Sequence, residues 1–222
     1  MGRGELNPWW RVGVALGYPL LRLLFRVEVR GLEHVPSSGP AVVAFNHVSM
    51  LDGPALGLVV GWGLRRESRF LVAAEFFAKG IYGWLLRRYD QIPIRRGEGD
   101  DEALDDAVAT VHRGALVALA PEGRVDERGG LEGLQRLRSG IARIALPTGA
   151  PVVPVGIWGT QVRYPRRRFH FGVPFRPRLV IAFGPPMLAS GSVEVAGDID
   201  SFLLRLAEHL EAQVTEARRL AG

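Results

Sequence analysis

Residues 41–45, Ala-Val-Val-Ala-Phe, make an apolar run too short for a helix, and the run stops at Asn46-His47. Bounded upstream by the turn cluster Pro36-Ser-Ser-Gly-Pro40, it predicts a short buried strand. A helical stretch begins at about residue 51, so His47 and Asp52 stand where a strand hands over to a helix. In α/β folds that carboxyl edge is where sites are built. Five residues along a regular helix turn two side chains about 140° apart. His47 and Asp52 can therefore meet only if His47 lies in the loop and Asp52 in the first helical turn. Ser49-Met-Leu-Asp52 has the spacing of a capping box, which puts Ser49 at the N-cap and Asp52 at the third helical position. A carboxylate there is favoured by the helix dipole whether or not a histidine is near.

The same handover recurs along the chain. Residues 27–30, 70–74, 91–94, 115–120, 151–158 and 178–183 read as strands, and residues 75–89, 100–113, 138–146 and 199–220 as helices. Pro93 puts its strand at an edge or a bulge. Asp100 or Asp101 is available to cap the helix that follows. The basic stretch at residues 163–168 reads as solvated surface. Alternating strands and helices predict an α/β class: a mostly parallel central sheet flanked by helices. With 222 residues, no repeat and no long linker, the chain has one core to fill.

Composition narrows the chemistry. There is no cysteine, which excludes disulfides, thiolate nucleophiles and thiolate metal ligands. The five histidines are scattered without ligand spacing, so no metal is expected. The net charge is +5, and all 28 basic side chains except Lys79 are arginine, which forks onto phosphate and suits an anionic partner. No nucleic-acid-binding motif or aromatic-interleaved basic strip is present, so nucleic acid is not expected. Residues 9–25 carry Arg11, Arg22, Gly13, Gly17 and Pro19 and fall short of the roughly 20 apolar residues of a membrane span. No small-residue cleavage site follows them. Trp9-Trp10 beside Arg11, and Leu20, Leu21, Leu23, Leu24 and Phe25 beside Arg22 and Arg26, have the composition of an interfacial helix; the alternative is a helix capping the sheet. The interfacial reading divides the chain into a membrane-surface amphipathic helix at residues 1–26 and a domain at residues 27–222. It places the protein at the cytoplasmic face of the cell membrane, bound to surface lipids without crossing.

Further strand ends gather at the same edge: Ile94 runs into Arg95-Arg96, Ala120 into Pro121-Glu122-Gly123-Arg124, and Val153-Pro154-Val155 lies late in the sheet. The order Asn46-His47-(four residues)-Asp52, Ile92-Pro-Ile-Arg-Arg96, Pro121-Glu122-Gly123-Arg124 and Val153-Pro154-Val155 resembles the four blocks of the glycerolipid acyltransferases. The bacterial 1-acylglycerol-3-phosphate acyltransferases are the nearest branch. The resemblance covers roughly residues 27–183, and its strength lies in four blocks in order, since each alone is weak. It implies transfer of a fatty acyl group from acyl-CoA or acyl-carrier protein to the hydroxyl of a phosphorylated lysolipid acceptor, with no cofactor. It further implies His47 as the catalytic base, Asp52 as the carboxylate orienting it, Arg96 as a phosphate ligand, and Glu122 and Gly123 as acceptor-binding residues. The family has Thr or Ser after the glycine and then Arg; here Arg124 follows Gly123 directly and is included among the substrate-binding candidates that the resemblance implies. Arg138, before Ser139-Gly140, stands where the family often has Lys and is a second phosphate candidate. Neutral histidine is able to take the hydroxyl proton as it attacks a thioester, and backbone amides at the helix start are the expected oxyanion donors. The missing hydroxyl keeps a second acceptor class open, another lysophospholipid or a lipid alcohol. A thioesterase, or a non-catalytic membrane-surface binding protein, is the alternative of another class.

Overall fold

The computed structural model describes residues 6–95, 100–126, 128–130, 133–164, 168–172 and 174–222. β2 (Ala41–Phe45) is fully buried along its length, and its alternate residues face two different cores. Ala41, Val43 and Phe45 pack with Ala55, Leu56, Val59 and Val60 of α2 (Asp52–Leu64). Val42 and Ala44 pack on the opposite face with residues of α4 (Asp101–His112), α5 (Gly140–Thr148) and α7 (Ala196–Ala221). A strand covered on both faces has no polar side, which is why its sequence reads as an unbroken apolar run.

The remaining strands are β1 (Arg26–Arg30), β3 (Ser68–Ala73), β4 (Ile92–Ile94), β5 (Leu116–Leu119), β6 (Pro151–Trp158), β7 (Arg178–Phe183) and β8 (Met187–Leu188). The sheet order is β1-β7-β6-β2-β5-β3-β4, with β8 paired to β6. From β6 through β2, β5 and β3 to β4 every pairing is parallel. β7 and β8 run antiparallel to β6, and β1 lies parallel to β7. The expected mostly parallel α/β sheet is thus present, with a reversed pair of strands at one side. β4 is the edge strand that Pro93 calls for, and the proline itself is exposed.

The helix expected at residues 75–89 is broken into a short 3-10 turn, Ala74–Phe76, and α3 (Gly80–Arg88). Gly80 sits at φ +44, and a side chain on Gly83 would strike the Phe77 carbonyl. Asp100 caps α4 by accepting the Ala103 amide. α1 (Pro8–Leu24) starts at Asn7, whose side chain accepts the Trp10 amide, and packs on α2 through Trp10, Val14 and Leu21. Glycines make that approach close: a Cβ on Gly17 would lie 2.7 Å from Leu58. Among the described residues no helix is long and apolar enough to cross a membrane.

Candidate active site

Parallel strands bring their carboxyl ends to one edge, and there the chain places the end of β2 with His47, the end of β5 with Glu122, and the end of β6 with Thr160. The His47 Nδ1 lies 2.9 Å from Asp52 Oδ2. Asp52 is wholly buried. Its Oδ2 also accepts the backbone amides of Val48 and Ser49, both at 2.8 Å, and its Oδ1 accepts the hydroxyl of Thr160. An ionised carboxylate only accepts, so this network assigns the proton to Nδ1 and leaves the Nε2 lone pair free to act as a base.

The loop-and-first-turn arrangement required by the five-residue spacing is present, but the cap differs from the expected one. Asp52 is the first helical residue, not the third, and the N-cap position, Leu51, makes no side-chain cap bond. Ser49 Oγ accepts the Leu51 amide and donates to the Tyr164 carbonyl, both at 3.2 Å. The Asp52 carboxylate reaches back over the turn to the amides and takes the place a capping hydroxyl would fill. The expected oxyanion donors are affected too: the amides of Val48, Ser49 and Leu51 are already bonded.

The main chain of His47 is pinned on both sides. Its amide donates to Glu122 Oε1 at 2.9 Å, and its carbonyl accepts the Asp126 amide at 2.7 Å. Glu122 is buried, and its other oxygen accepts the Gln135 amide at 3.1 Å. Both carboxylate oxygens thus hold loops in place. Burial pushes the Glu122 carboxyl above its ordinary range, opposed by the two amides. Gly123 turns the chain at φ +74. Glycine is favoured there by its conformation, and a Cβ would come within 2.6 Å of Arg138 Nε and displace the arginine folded over it. Arg138 Nε donates to the Glu122 carbonyl at 3.4 Å. Arg124 is exposed and donates to Gln135 Oε1 at 2.7 Å. Arg96 lies outside the described residues; its neighbour Arg95 bonds Asp100 at 3.1 Å.

A cavity of about 900 Å³ runs over this edge of the sheet. Beneath α1, α2 and α3 it is lined by Trp10, Gly57, Leu58, Phe70, Leu86 and Tyr89. On the side of α4, α5 and α7 it is lined by Arg95, Arg136, Arg138 and Arg143 together with Asp100, Asp200 and the apolar Leu104, Ile141 and Leu203; Arg95 is paired with Asp100 and Arg143 with Asp101. His47, Met50 and Gly123 also line it, while Arg124 does not. The structure thus brings His47, Asp52, Glu122, Gly123 and Arg138 together and sets Arg124 apart. Among the described residues no cluster of three or more His, Asp or Glu is placed to hold a metal.

Three further residues support the site: Asn46 belongs to the first of the sequence blocks, whereas Asp126 and Thr160 have no local sequence signature. Asn46 bridges β2 to β6, its side chain donating to the Ile157 carbonyl at 3.0 Å and accepting the Ile157 amide at 2.7 Å. Asp126 is buried and accepts the amides of Arg128 and Gly130. Thr160 opens the short helix α6 (Thr160–Arg163), 108 residues from the carboxylate it bonds.

The family model for Acyltransferase matches residues 26–158, which holds β1 through β6 and with them His47, Asp52 and Glu122. The 1-acyl-sn-glycerol-3-phosphate acyltransferase BAT2, chloroplastic, of Brassica napus is 30% identical over 61% of this chain and 38% of its own length. The lyso-ornithine lipid O-acyltransferase of Pseudomonas aeruginosa is 31% identical over 70% of this chain and 54% of its own. The chain spans less than two thirds of the length of either relative. The crystal structure of the 1-acyl-sn-glycerophosphate (LPA) acyltransferase PlsC from Thermotoga maritima superposes with a TM-score of 0.66, covering 91% of this chain and 80% of that one at 23% identity. With the sheet, the histidine–carboxylate pair and the matching family model in hand, the chain belongs to the Acyltransferase family.

Proposed function

We propose that the protein is a membrane-associated O-acyltransferase that moves a fatty acyl group from acyl-CoA or acyl-carrier protein to the free hydroxyl of 1-acylglycerol-3-phosphate, giving phosphatidic acid. The observation that carries this reading is the Nδ1–Oδ2 pair of His47 and Asp52 on a cavity with an apolar arm on one side and a mixed wall that includes Arg136 and Arg138 on the other. The apolar arm suits an acyl chain, and Arg138 suits the acceptor phosphate. His47 Nε2 takes the hydroxyl proton while the alcohol oxygen attacks the thioester carbonyl. The tetrahedral adduct collapses, the C–S bond breaks, and the departing thiolate takes the proton back from the imidazolium. Asp52 holds the tautomer and stabilises the imidazolium in between. General-base assistance of this kind contributes about 10²–10⁴ in rate. No acyl-enzyme is needed, and Ser49, its hydroxyl donated to the Tyr164 carbonyl, is placed for structure.

A second acceptor class is favoured by one feature of the chain: Arg124 directly follows Gly123, so the position after the glycine carries no hydroxyl, and Arg124 bonds Gln135 outside the cavity. The same chemistry on another lysophospholipid or a lipid alcohol fits that arrangement. The test offers labelled acyl-CoA and acyl-carrier protein to a panel of 1-acylglycerol-3-phosphate, a lysolipid without a phosphomonoester and a phosphate-free lipid alcohol. Selective acylation of the phosphomonoester, with its KM raised about tenfold or more by Arg138→Ala through loss of a charge-assisted hydrogen bond, supports the first reading. Equal use of all three acceptors, or a KM that Arg138→Ala leaves alone, supports the second. Hydrolysis of the donor with every acceptor ignored would overturn both.

A further inference from the structure

Arg163 does not lie in solvent as a basic surface stretch would have it. It is 3% exposed, and its guanidinium is spent on four backbone carbonyls: His170 at 3.1 Å, Gly172 at 3.2 Å, Pro174 at 2.9 Å, and Phe175. The Arg163 carbonyl in turn accepts the His170 amide at 2.8 Å. Burying a guanidinium is costly unless its hydrogen bonds are met, and here the carbonyls of the loop after α6 serve both terminal nitrogens, while Nε is buried without a hydrogen-bond partner among the described residues. What this clamp holds is unusual: Phe169, Phe171 and Phe175 are 56%, 70% and 80% exposed. Phe169 stacks on Phe171 at 5.8 Å and meets Tyr164 edge-on at 4.6 Å. A loop with freedom to fold back would cover such rings; this one is fixed with them outward.

The loop is continuous with the outer face of α1. Arg176 donates to the carbonyls of Arg22 and Phe25 at the end of that helix. Arg176, Tyr18, Leu23 and Trp62 share a shallow groove between the two. Beyond it α1 leaves Val12, Leu16, Leu20 and Leu23 exposed, at helical spacing, even though its other side is packed on α2. Charge follows the same line. No acidic residue stands between Glu5 and Glu28, or between Glu132 and Glu194, whereas Arg11, Arg22 and Arg168 are exposed among the apolar groups. Aromatic and aliphatic side chains interleaved with arginine and free of acid complement an anionic lipid surface.

We propose that the clamped loop at residues 168–172 and 174–176 is a second bilayer-docking element, in which Phe169, Phe171 and Phe175 enter the boundary between headgroups and acyl chains of an anionic membrane beside the outer face of α1. Two contacts, one on each side of the groove, fix the orientation of the molecule on the bilayer where one helix would leave it free to roll. The loop is tied to the site as well. It hangs from α6, whose first residue, Thr160, bonds Asp52, and the Tyr164 carbonyl that follows α6 accepts the Ser49 hydroxyl. The cavity mouth therefore keeps a set position over the lipid. The proposal leans on the lipid-substrate reading only for that last consequence; docking itself is measured without turnover.

The chain has no cysteine, so Phe171→Cys carries a single environment-sensitive fluorophore. With vesicles of phosphatidylcholine containing anionic phosphatidylglycerol, its emission is expected to shift to the blue and to be quenched by bromine on the upper acyl carbons. High salt is expected to weaken the response. The triple substitution Phe169→Ser, Phe171→Ser, Phe175→Ser is expected to lower partition in flotation about tenfold or more while leaving turnover of a monomeric short-chain acceptor unchanged. An emission unmoved by vesicles overturns the proposal, whether or not the triple variant folds. So does wild-type partition in the folded triple variant, or a dimer in solution that the triple substitution dissolves without loss of vesicle binding. A blue shift in a protein that transfers no acyl group leaves docking standing and removes the enzymatic reading alone.

Discussion

Asp52→Asn separates the charge of the dyad from its shape. The Oδ2 position accepts three donors, His47 Nδ1 and the amides of Val48 and Ser49. An asparagine keeps its oxygen there and turns its amide to Thr160, whose hydroxyl is able to accept as well as donate. The loop and the His47 orientation are therefore expected to survive, with a thermal midpoint close to wild type. What disappears is the attraction between a carboxylate and the imidazolium formed as the alcohol loses its proton. For charge centres about 4 Å apart at an effective dielectric constant of about 20, that attraction is about 4 kcal/mol. The His47 side chain is 20% exposed, and solvent screening reduces the figure to about 2–4 kcal/mol. The barrier rises by the same amount, so kcat is expected to fall about 30-fold to 1000-fold. An interaction made only in the transition state lowers kcat and kcat/KM alike and leaves KM alone. Initial rates of labelled acyl transfer under saturating donor measure this. A folded Asp52→Asn protein within threefold of wild-type kcat would refute an electrostatic role for the carboxylate.

Two other substitutions probe the supports of the dyad. Thr160→Val leaves Asp52 Oδ1 buried without its donor and is expected to cost about 1–3 kcal/mol of stability, together with a loss of rate. Thr160→Ser is expected to recover most of both, and equal melting curves and rates for the valine and serine variants would contradict that role. Burial raises the Glu122 carboxyl above its ordinary value of 4.5, so folding favours its protonated form. The stability this contributes is complete below the unfolded value and is lost as pH rises through the raised folded one. In urea melts, the difference between wild type and Glu122→Gln is therefore expected to move against wild type from about pH 4 upward, until the folded group has ionised. Movement in the opposite direction would mean that the amides of His47 and Gln135 outweigh burial.

The parts of the fold legible in the sequence are those set by local pattern. β2 declares itself because both of its faces are covered, and β4 because Pro93 cannot serve a central strand. Strand direction is not written in such runs. Beyond Arg178, β7 is as continuously buried as the parallel strand β2, yet it runs antiparallel to β6, a matter of long-range pairing. The site divides in the same way. The five-residue spacing required His47 in the loop and Asp52 on the first turn, and that is their placement. Serine usually fills the cap position, but here the Asp52 carboxylate takes the amides and the Ser49 hydroxyl turns to Tyr164. Thr160 and Asp126 act through partners brought close only by the sheet edge, and ordinary polar residues at strand ends carry no mark of it; Asn46 stands in the first sequence block, but its bridge to Ile157 is not written there. Arg163 misled for a related reason. A basic run reads as solvent-facing, but its first member finds enough carbonyls to be buried.

The central claim is that the imidazole of His47 is the base that activates the acceptor hydroxyl. Its most direct measurement is the rate of labelled acyl transfer to 1-acylglycerol-3-phosphate by purified His47→Ala beside wild type, with circular dichroism confirming that both are folded. The predicted result is a fall of at least about 10² in kcat, the lower end of what a general base supplies. Transfer at the wild-type rate by the folded alanine variant would contradict the account.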